Sequence, residues 1–342
     1  MKRWHTFAIG LIVSVVALYL AFRQANFAEI LQGFRSARYE YVALGFVLVG
    51  LTTLARGLRW SVLTEGRLSV ADATWLFNMG FLFNNVLPAR LGEIVRAMLA
   101  GRRPQMRFTS ALSSIVVERL FDMISVVVLI GITLMSLNLP TWATSAGAMM
   151  GVGAGIGIAV LALAARYPHG SLQIGARVLA LLPRMDEARA LAFLRPFVEG
   201  LGAVSNLRTF AAGLSLSVAA WLLSGITGWA LMLALWPHMP VMMGMLAIAA
   251  AGLGVAIPAA PAGVGPFEAA VIGVLTASGY DADISRSYAI GIHFITFTTT
   301  SLLGALGLLR EGMSFSEVAR AAEALSGQHT VGPAPPLETP PE

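Results

Sequence analysis

Apolar residues run through this chain in long blocks separated by short polar joints. The blocks at 6–22, 42–63, 123–137, 147–165, 209–235, 241–257, 264–279 and 287–309 read as membrane helices. The block at 73–87 is apolar but short. The pattern predicts an all-α, polytopic membrane protein with about seven or eight transmembrane helices. Two stretches do not fit a plain helix. Residues 87–96 read Leu-Pro-Ala-Arg-Leu-Gly-Glu-Ile-Val-Arg, and residues 258–271 read Pro-Ala-Ala-Pro-Ala-Gly-Val-Gly-Pro-Phe-Glu-Ala-Ala-Val. Proline removes a backbone donor and glycine weakens a helix. In lipid such breaks persist only where protein or a watery cavity satisfies the freed backbone. They predict two broken or re-entrant segments, near 73–100 and 241–279, one in each half of the chain.

Shorter amphipathic stretches complete the pattern. Residues 27–38 have the character of an interfacial helix, as do 171–182 (Leu172, Ile174, Val178, Leu179, Leu182) and 186–193. Ser314 and Glu317 have capping-box spacing, predicting a short helix to Leu325. Residues 326–342 hold five prolines, and this composition predicts disorder. Gly147, Gly151 and Gly155 share a helix face, with Gly153 and Gly157 beside them, a pattern that predicts close helix packing.

Composition narrows the function. The chain is 57% hydrophobic and 12% charged, about half the charged fraction of a soluble protein. Its net charge of +5 does not point to nucleic acid, because the charges flank apolar spans. There is no cysteine, so disulfides, thiolate metal sites and cysteine nucleophiles are excluded. The five histidines lack metal-ligand spacing. No nucleophile elbow, phosphate-binding glycine loop or nucleotide fingerprint is present. The expectation is a protein without metal or cofactor, and not an enzyme.

Arginines give an orientation. Loop 166–208 carries Arg166, Arg177, Arg184, Arg189, Arg195 and Arg208, while 138–145 and 236–240 carry no basic residue. By the positive-inside rule the first is cytoplasmic, with Arg102, Arg103, Arg107 and a cytoplasmic C-terminus marked by Arg310 and Arg320. Arg23, Arg35 and Arg38 conflict with that scheme, which places their loop outside. The expected division is a transmembrane domain, 1–311, with a cytoplasmic amphipathic insertion at 166–208. A short helix and Pro-rich cytoplasmic tail, 312–342, follow.

Charged residues inside apolar spans are functional candidates. Arg56 and Arg59 share a helix face and suit either snorkelling to the headgroups or a phosphate clamp. Arg90, Glu93 and Arg96 form a stripe that is either a surface salt bridge or part of a site. Asn84 and Asn85 need partners, as caps of a broken helix or as headgroup contacts. Glu118, Arg119 and Asp122 open the next span. Two acids four residues apart repel unless a cation lies between them, with Arg90 or Arg96 as a candidate partner. The alternative is an acidic first turn favoured by the helix dipole. Pro266 suits a helix start, and Glu268 can cap that helix or pair with an arginine of the 56–59 or 90–96 patch.

Four patches occur in order: Arg56-x-x-Arg59-Trp60, Asn85-x-Leu87-Pro88-x-Arg90-x-Gly92-Glu93-x-x-Arg96, Glu118-Arg119-x-x-Asp122, and Pro258-x-x-Pro261-x-Gly263-x-Gly265-x-x-Glu268. Together they resemble the lysylphosphatidylglycerol synthase transmembrane region, also called the flippase-like or UPF0104 family. The resemblance covers about residues 5–311. It departs at Ala262, where the family often has glycine. It implies translocation or handling of a phospholipid or lipid-linked substrate in the bacterial cytoplasmic (inner) membrane. The soluble domain of larger members, which makes lysyl-phosphatidylglycerol, has no counterpart in this sequence, so no aminoacyl-transferase activity is expected. The alternative is a non-catalytic membrane partner of a lipid- or glycan-lipid-modifying enzyme.

Overall fold

A computed structural model describes residues 2–87, 91–136, 166–180, 207–257 and 259–328, with scattered positions between 145 and 195. The described residues are helical, without strands. Twelve α-helices are defined among them: α1 (Lys2–Phe22), α2 (Phe27–Ser36), α3 (Tyr39–Leu63), α4 (Val70–Val86), α5 (Gly92–Ala100), α6 (Phe108–Ser136), α7 (Pro168–Leu179), α8 (Leu207–Met232), α9 (Val241–Ala256), α10 (Pro266–Ala277), α11 (Ala282–Arg310) and α12 (Phe315–Gln328). Among the described residues α3, α8 and α11 are long and apolar enough to cross a membrane. Exposed large apolar side chains such as Val47, Leu51, Phe294 and Leu302 cover their outer faces, as lipid contact requires. This is an integral membrane protein.

Both broken segments are helix-turn-helix hairpins. In the first, α5 runs back along α4, so Gly92 lies against Gly80 and Asn84. A Cβ on Gly92 would stand 1.9 Å from the Gly80 carbonyl oxygen, so only glycine permits this crossing. The Asn84 side-chain oxygen accepts the Gly92 N–H at 2.8 Å, capping α5 from the helix before the break. In the second, a 3₁₀ turn at Pro261–Gly263 joins α9 to α10. Ala262 and Gly263 have φ of +61° and +76°, and Gly265 has +99°. Pro266 is the first residue of α10, as its fixed φ favours. α1 braces this turn: the Ser14 hydroxyl accepts the Ala260 N–H at 2.8 Å, and the Ser14 carbonyl leaves no room for a Cβ on Gly265. α4 reaches the turn directly, so the two hairpins meet tip to flank. Pro88, Arg90 and Pro258 lie outside the described residues.

The loops sort to two ends. Arg103 pairs with Glu311 at 2.6 Å and Asp72 at 3.4 Å, and Arg310 with Asp72 at 3.5 Å. Ala164 and Phe210 pack with Leu63 near the same end, which brings their chain neighbours Arg166 and Arg208 there. Arg38 sits at the opposite end, where its guanidinium donates to the Leu233 carbonyl beyond the last turn of α8 and stacks on Tyr41 at 4.5 Å. Its charge serves a helix C-terminus, which explains an arginine on the side that the charge rule disfavours.

Two expectations differ from the structure. α6 begins at Phe108, not near Met123, so Glu118, Arg119 and Asp122 lie inside a 29-residue helix. Glu118 is about 15 Å from the helix start at 1.5 Å per residue, which removes the acidic-first-turn reading. Among the described residues, none lies within 4 Å of where a Cβ on Gly153 or Gly155 would stand, and only Ile124 does so for Gly157; Gly147 and Gly151 lie outside the described residues. The predicted close packing is not found at the positions described. The short helix expected from Ser314 is present as α12, and it packs inward: Val318, Ala319 and Ala322 are buried in the core cluster of α4 and α5, and Phe315 stacks on Phe83 at 4.5 Å. Residues 329–342 lie outside the described residues.

Candidate functional site

Most of the charged candidates converge where α3, α5 and α6 meet. Glu118 is fully buried and is the hub. Arg96 from α5 donates to both its oxygens, at 2.9 and 3.0 Å, in a bidentate fork. Arg59 from α3 approaches Oε1 at 3.1 Å, and Arg119 donates to Oε1 at 3.0 Å. Arg59 also pairs with Asp122, so one guanidinium lies between the two acids that would otherwise repel. Asp122 further accepts the Trp221 indole N–H at 2.9 Å, and Arg59 donates to the Ser217 hydroxyl at 3.2 Å. Arg96 is sandwiched between the rings of Trp60 at 4.2 Å and Phe77 at 4.7 Å. Gly80 makes room for its stem.

This cluster separates the candidate arginines into two kinds. Arg59 and Arg96 are buried and tied to carboxylates, so they are scaffold, neither snorkelling nor free to bind a headgroup. The expected Arg90–Glu93–Arg96 stripe divides: Arg96 turns to Glu118, and Glu93 pairs with Arg119 at 3.3 Å. Arg119 remains 40% exposed and faces a cavity. Arg56 has no carboxylate within 4 Å among the described residues; its contacts are Ser224 at 3.4 Å and the faces of Trp221 and Phe77.

The cavity lies between the hairpins and has two adjoining lobes that share Phe81, Arg119, Val255, Phe267, Thr296 and Thr300. The lobe of about 240 Å³ holds Arg56, Asp122, Trp221 and hydroxyls of α3 and α8. The lobe of about 160 Å³ holds Glu93, Asn84, Asn85, His293 and the Ala259–Gly263 backbone. Asn85 donates to Ser301 at 2.9 Å and Thr300 at 3.1 Å, tying α4 to α11. Polar groups on two broken segments around one apolar-walled cavity form the arrangement expected of a membrane binding site.

Glu268 does not join the arginines. One oxygen accepts the Gly265 N–H at 2.7 Å, and the other lies 2.5 Å from His293 Nδ1. It caps its own helix, one of the two expected roles, and takes His293 of α11 as partner, where an arginine of the 56–59 or 90–96 patch was the other expectation. The reason is topological: α10 packs against α11, which puts His293 closer than α3 or α5.

Sequence reading missed Trp221, Ser217 and Ser224. Their spacing, four and three residues apart in an apolar helix, marks one polar face of α8 and would have been a usable signal. Phe77, which encloses Arg96 together with Trp60, had no such signal. No cluster of three or more metal-ligating side chains occurs among the described residues.

The family model for the lysylphosphatidylglycerol synthase TM region matches residues 7–304. This chain belongs to that family. It is 24% identical over 226 residues to a UPF0104 membrane protein of Methanocaldococcus jannaschii, covering 65% of this chain and 91% of that one. It is 26% identical over 302 residues to a protein of Haloferax volcanii named glycosyltransferase AglD, covering 79% of this chain and 48% of that one. The chain therefore spans about half the length of the second relative. All four motif patches fall inside the matched region.

Proposed function

We propose that this protein binds and translocates a phospholipid or lipid-linked substrate across the cytoplasmic membrane, with its C-terminus cytoplasmic, and performs no aminoacyl transfer. The observation that carries the reading is the cavity between the hairpins, with Arg56 and Arg119 on its wall and Arg59 and Arg96 locked behind them. Guanidinium groups recognise phosphate oxygens by paired donors. A preformed network of acids holds Arg119 in place, and hinge-like Pro/Gly turns flank the site. Family membership supports a lipid-related role, and the relative named a glycosyltransferase extends the candidates to lipid-linked sugars. The arginine-rich loops gathered at the end shared by Arg103 and Arg310 support a cytoplasmic C-terminus.

Purified protein in liposomes with fluorescent lipids tests the proposal. The expected outcome is protein-dependent exchange of label between leaflets that falls sharply in Arg56→Gln. Exchange no faster than in protein-free liposomes, with a lipid-modifying enzyme co-purifying from membranes, replaces transport with the role of a non-catalytic partner.

A further inference from the structure

Three carboxylates are buried among the described residues, and their partners differ in kind. Glu118 and Asp122 are held by Arg59, Arg96 and Arg119. Arginine keeps its proton in a protein, so those pairs are permanent. Glu268 has no arginine or lysine within 4 Å among the described residues; its partner is His293, with Nδ1 2.5 Å from Oε1. Histidine is the side chain whose charge changes near neutral pH. Glu268 is therefore the buried acid whose counter-charge can come and go.

The pair meets the cavity through its imidazole. His293 lines the smaller lobe and Glu268 does not. An ionised carboxylate only accepts, which fixes the ring proton on Nδ1 and leaves Nε2 as the basic atom. Nε2 has no hydrogen bond among the described residues. A proton arriving through the cavity adds to the Nε2 lone pair, and no other bond forms or breaks. The pair passes from one negative charge to none. The Phe267 ring lies 4.4 Å from the imidazole, centroid to centroid, and an aromatic face attracts a cation. The same carboxylate caps the hairpin, because its second oxygen accepts the Gly265 N–H at 2.7 Å. The proton therefore sets how strongly α10 is tied to α11 at the tip braced by α1.

The surrounding elements leave this role to the pair. α9 carries no titratable side chain, and α1 contributes the Ser14 hydroxyl at the tip. α4 lends Asn84 and Asn85 to the lobe, while its Asp72 is engaged by Arg103 and Arg310. α5 and α6 place Glu93 and Arg119 in the same lobe, paired with each other at 3.3 Å. α3 and α6 hold Arg56 and Asp122 in the adjoining lobe. Glu29 and Arg35 of α2 are exposed. On α11 the titratable residue nearest in sequence is Tyr288, whose hydroxyl donates to the Gly228 carbonyl of α8. Arg90 lies outside the described residues.

Resting on the translocation reading above, we infer that Glu268 and His293 form one proton-binding site in the cavity wall, and that the lipid crosses together with a proton held there. Acid and histidine side chains inside membrane helices mark proton routes. A phosphate entering the cavity favours the protonated pair, and by linkage the proton favours the phosphate. The two are loaded together and released together.

The first test reads the site itself. In the full chain with His5, His169, His238 and His329 replaced by Gln, His293 is the single imidazole, and nitrogen-15 NMR in detergent distinguishes its protonated form from each neutral tautomer. It is expected to titrate reversibly between about pH 5 and 9, with Nδ1–H as the neutral form, and Glu268→Gln is expected to move the midpoint by about one pH unit or more. A ring that stays in one form across that range, or a midpoint unmoved by Glu268→Gln, overturns the inference and leaves translocation untouched. The second test reads coupling, in liposomes of phosphatidylcholine and phosphatidylglycerol under imposed pH gradients. The labels are fluorescent phosphatidylglycerol and a fluorescent polyisoprenyl phosphate. At least one is expected to move about fivefold faster with the proton gradient than against it, and His293→Gln to lose that asymmetry. Exchange indifferent to the gradient in the unmodified chain overturns the coupling and leaves translocation standing. No exchange of either label, with His293 titrating as expected, sinks the translocation reading and the coupling with it, and leaves the proton site. The ring titration and the gradient dependence of the unmodified chain decide even where a variant at 268 or 293 fails to fold.

Discussion

The hairpin of α4 and α5 and the hairpin of α9 and α10 solve one problem in two ways. Each must break a helix in an apolar setting and satisfy the freed backbone. The first does so with side chains: Asn84 reaches across the break to cap Gly92, and the backbone needs no left-handed residue among those described. The second does so with backbone geometry, through three positive-φ positions within four residues at Ala262, Gly263 and Gly265, and with Glu268 as its own cap. Their charges follow suit. Arg96 leaves the first hairpin to bind Glu118 on α6, joining it to the central cluster. Glu268 stays at home, tied to Gly265 and His293. The first hairpin is therefore coupled to the arginine cluster, and the second to α1 and α11.

Breaking that division should cost most at the cluster. Glu118→Gln leaves Arg59 and Arg96 buried without their shared carboxylate, a loss of about 3–5 kcal/mol. The expected result is a fall in melting temperature in detergent on the order of 10 °C, or failure to obtain monodisperse protein. Native stability in Glu118→Gln would show that the cluster does not hold α5 in place. Next comes Glu268→Gln, which keeps a cap acceptor but weakens the His293 contact. A loss of about 1–3 kcal/mol is expected, with faster hydrogen exchange in α10 and unchanged exchange in α5. Equal effects on both hairpins would erase the distinction between them.

Ala262→Gly probes the second hairpin from the other direction. A left-handed residue with a Cβ costs about 1–2 kcal/mol, so the glycine variant should melt a few degrees higher. A lower melting temperature would mean that the turn carries no strain at this position. The smallest effect lies at α12. The Ser314 hydroxyl and backbone N–H hold Glu317 below the usual carboxylate pKa. A depressed folded pKa gives stability that is present above the ordinary glutamate range and disappears as the pH falls through the lowered value. Amide protection at the start of α12, taken relative to the unstructured exchange rate at each pH, should fall on acidification below about pH 4. Glu317→Gln should flatten that fall, and persistence of the fall in the variant would assign it to another group.

Much of this was legible from the chain. Continuous apolar blocks located α3, α8, α9 and α11 to within a few residues, because lipid demands the same apolar surface along a whole span. Both breaks were visible through Pro88, Gly92, Pro261, Gly263, Gly265 and Pro266, whose backbone chemistry is local. Arg59, Arg96, Glu118 and Asp122 stood out because ionised groups are expensive in apolar spans. Their pairing was not legible. Arg59 meets Asp122 across 63 positions and Trp221 meets Asp122 across 99, distances over which no local rule operates. The start of α6 was also missed, since its first turns carry mixed polarity until the helix is packed against α5.

The sequence by itself determined that this is a helical membrane protein with two broken segments and a set of charges that need partners. Local backbone chemistry and transfer free energies decide both, residue by residue. Only the tertiary structure decided which charges are matched. It placed Arg59 and Arg96 against Glu118, gave Glu268 to His293, and left Arg56 facing the cavity. Ion pairing depends on distances of a few ångströms between helices remote in sequence, and those distances exist only once the helices have packed.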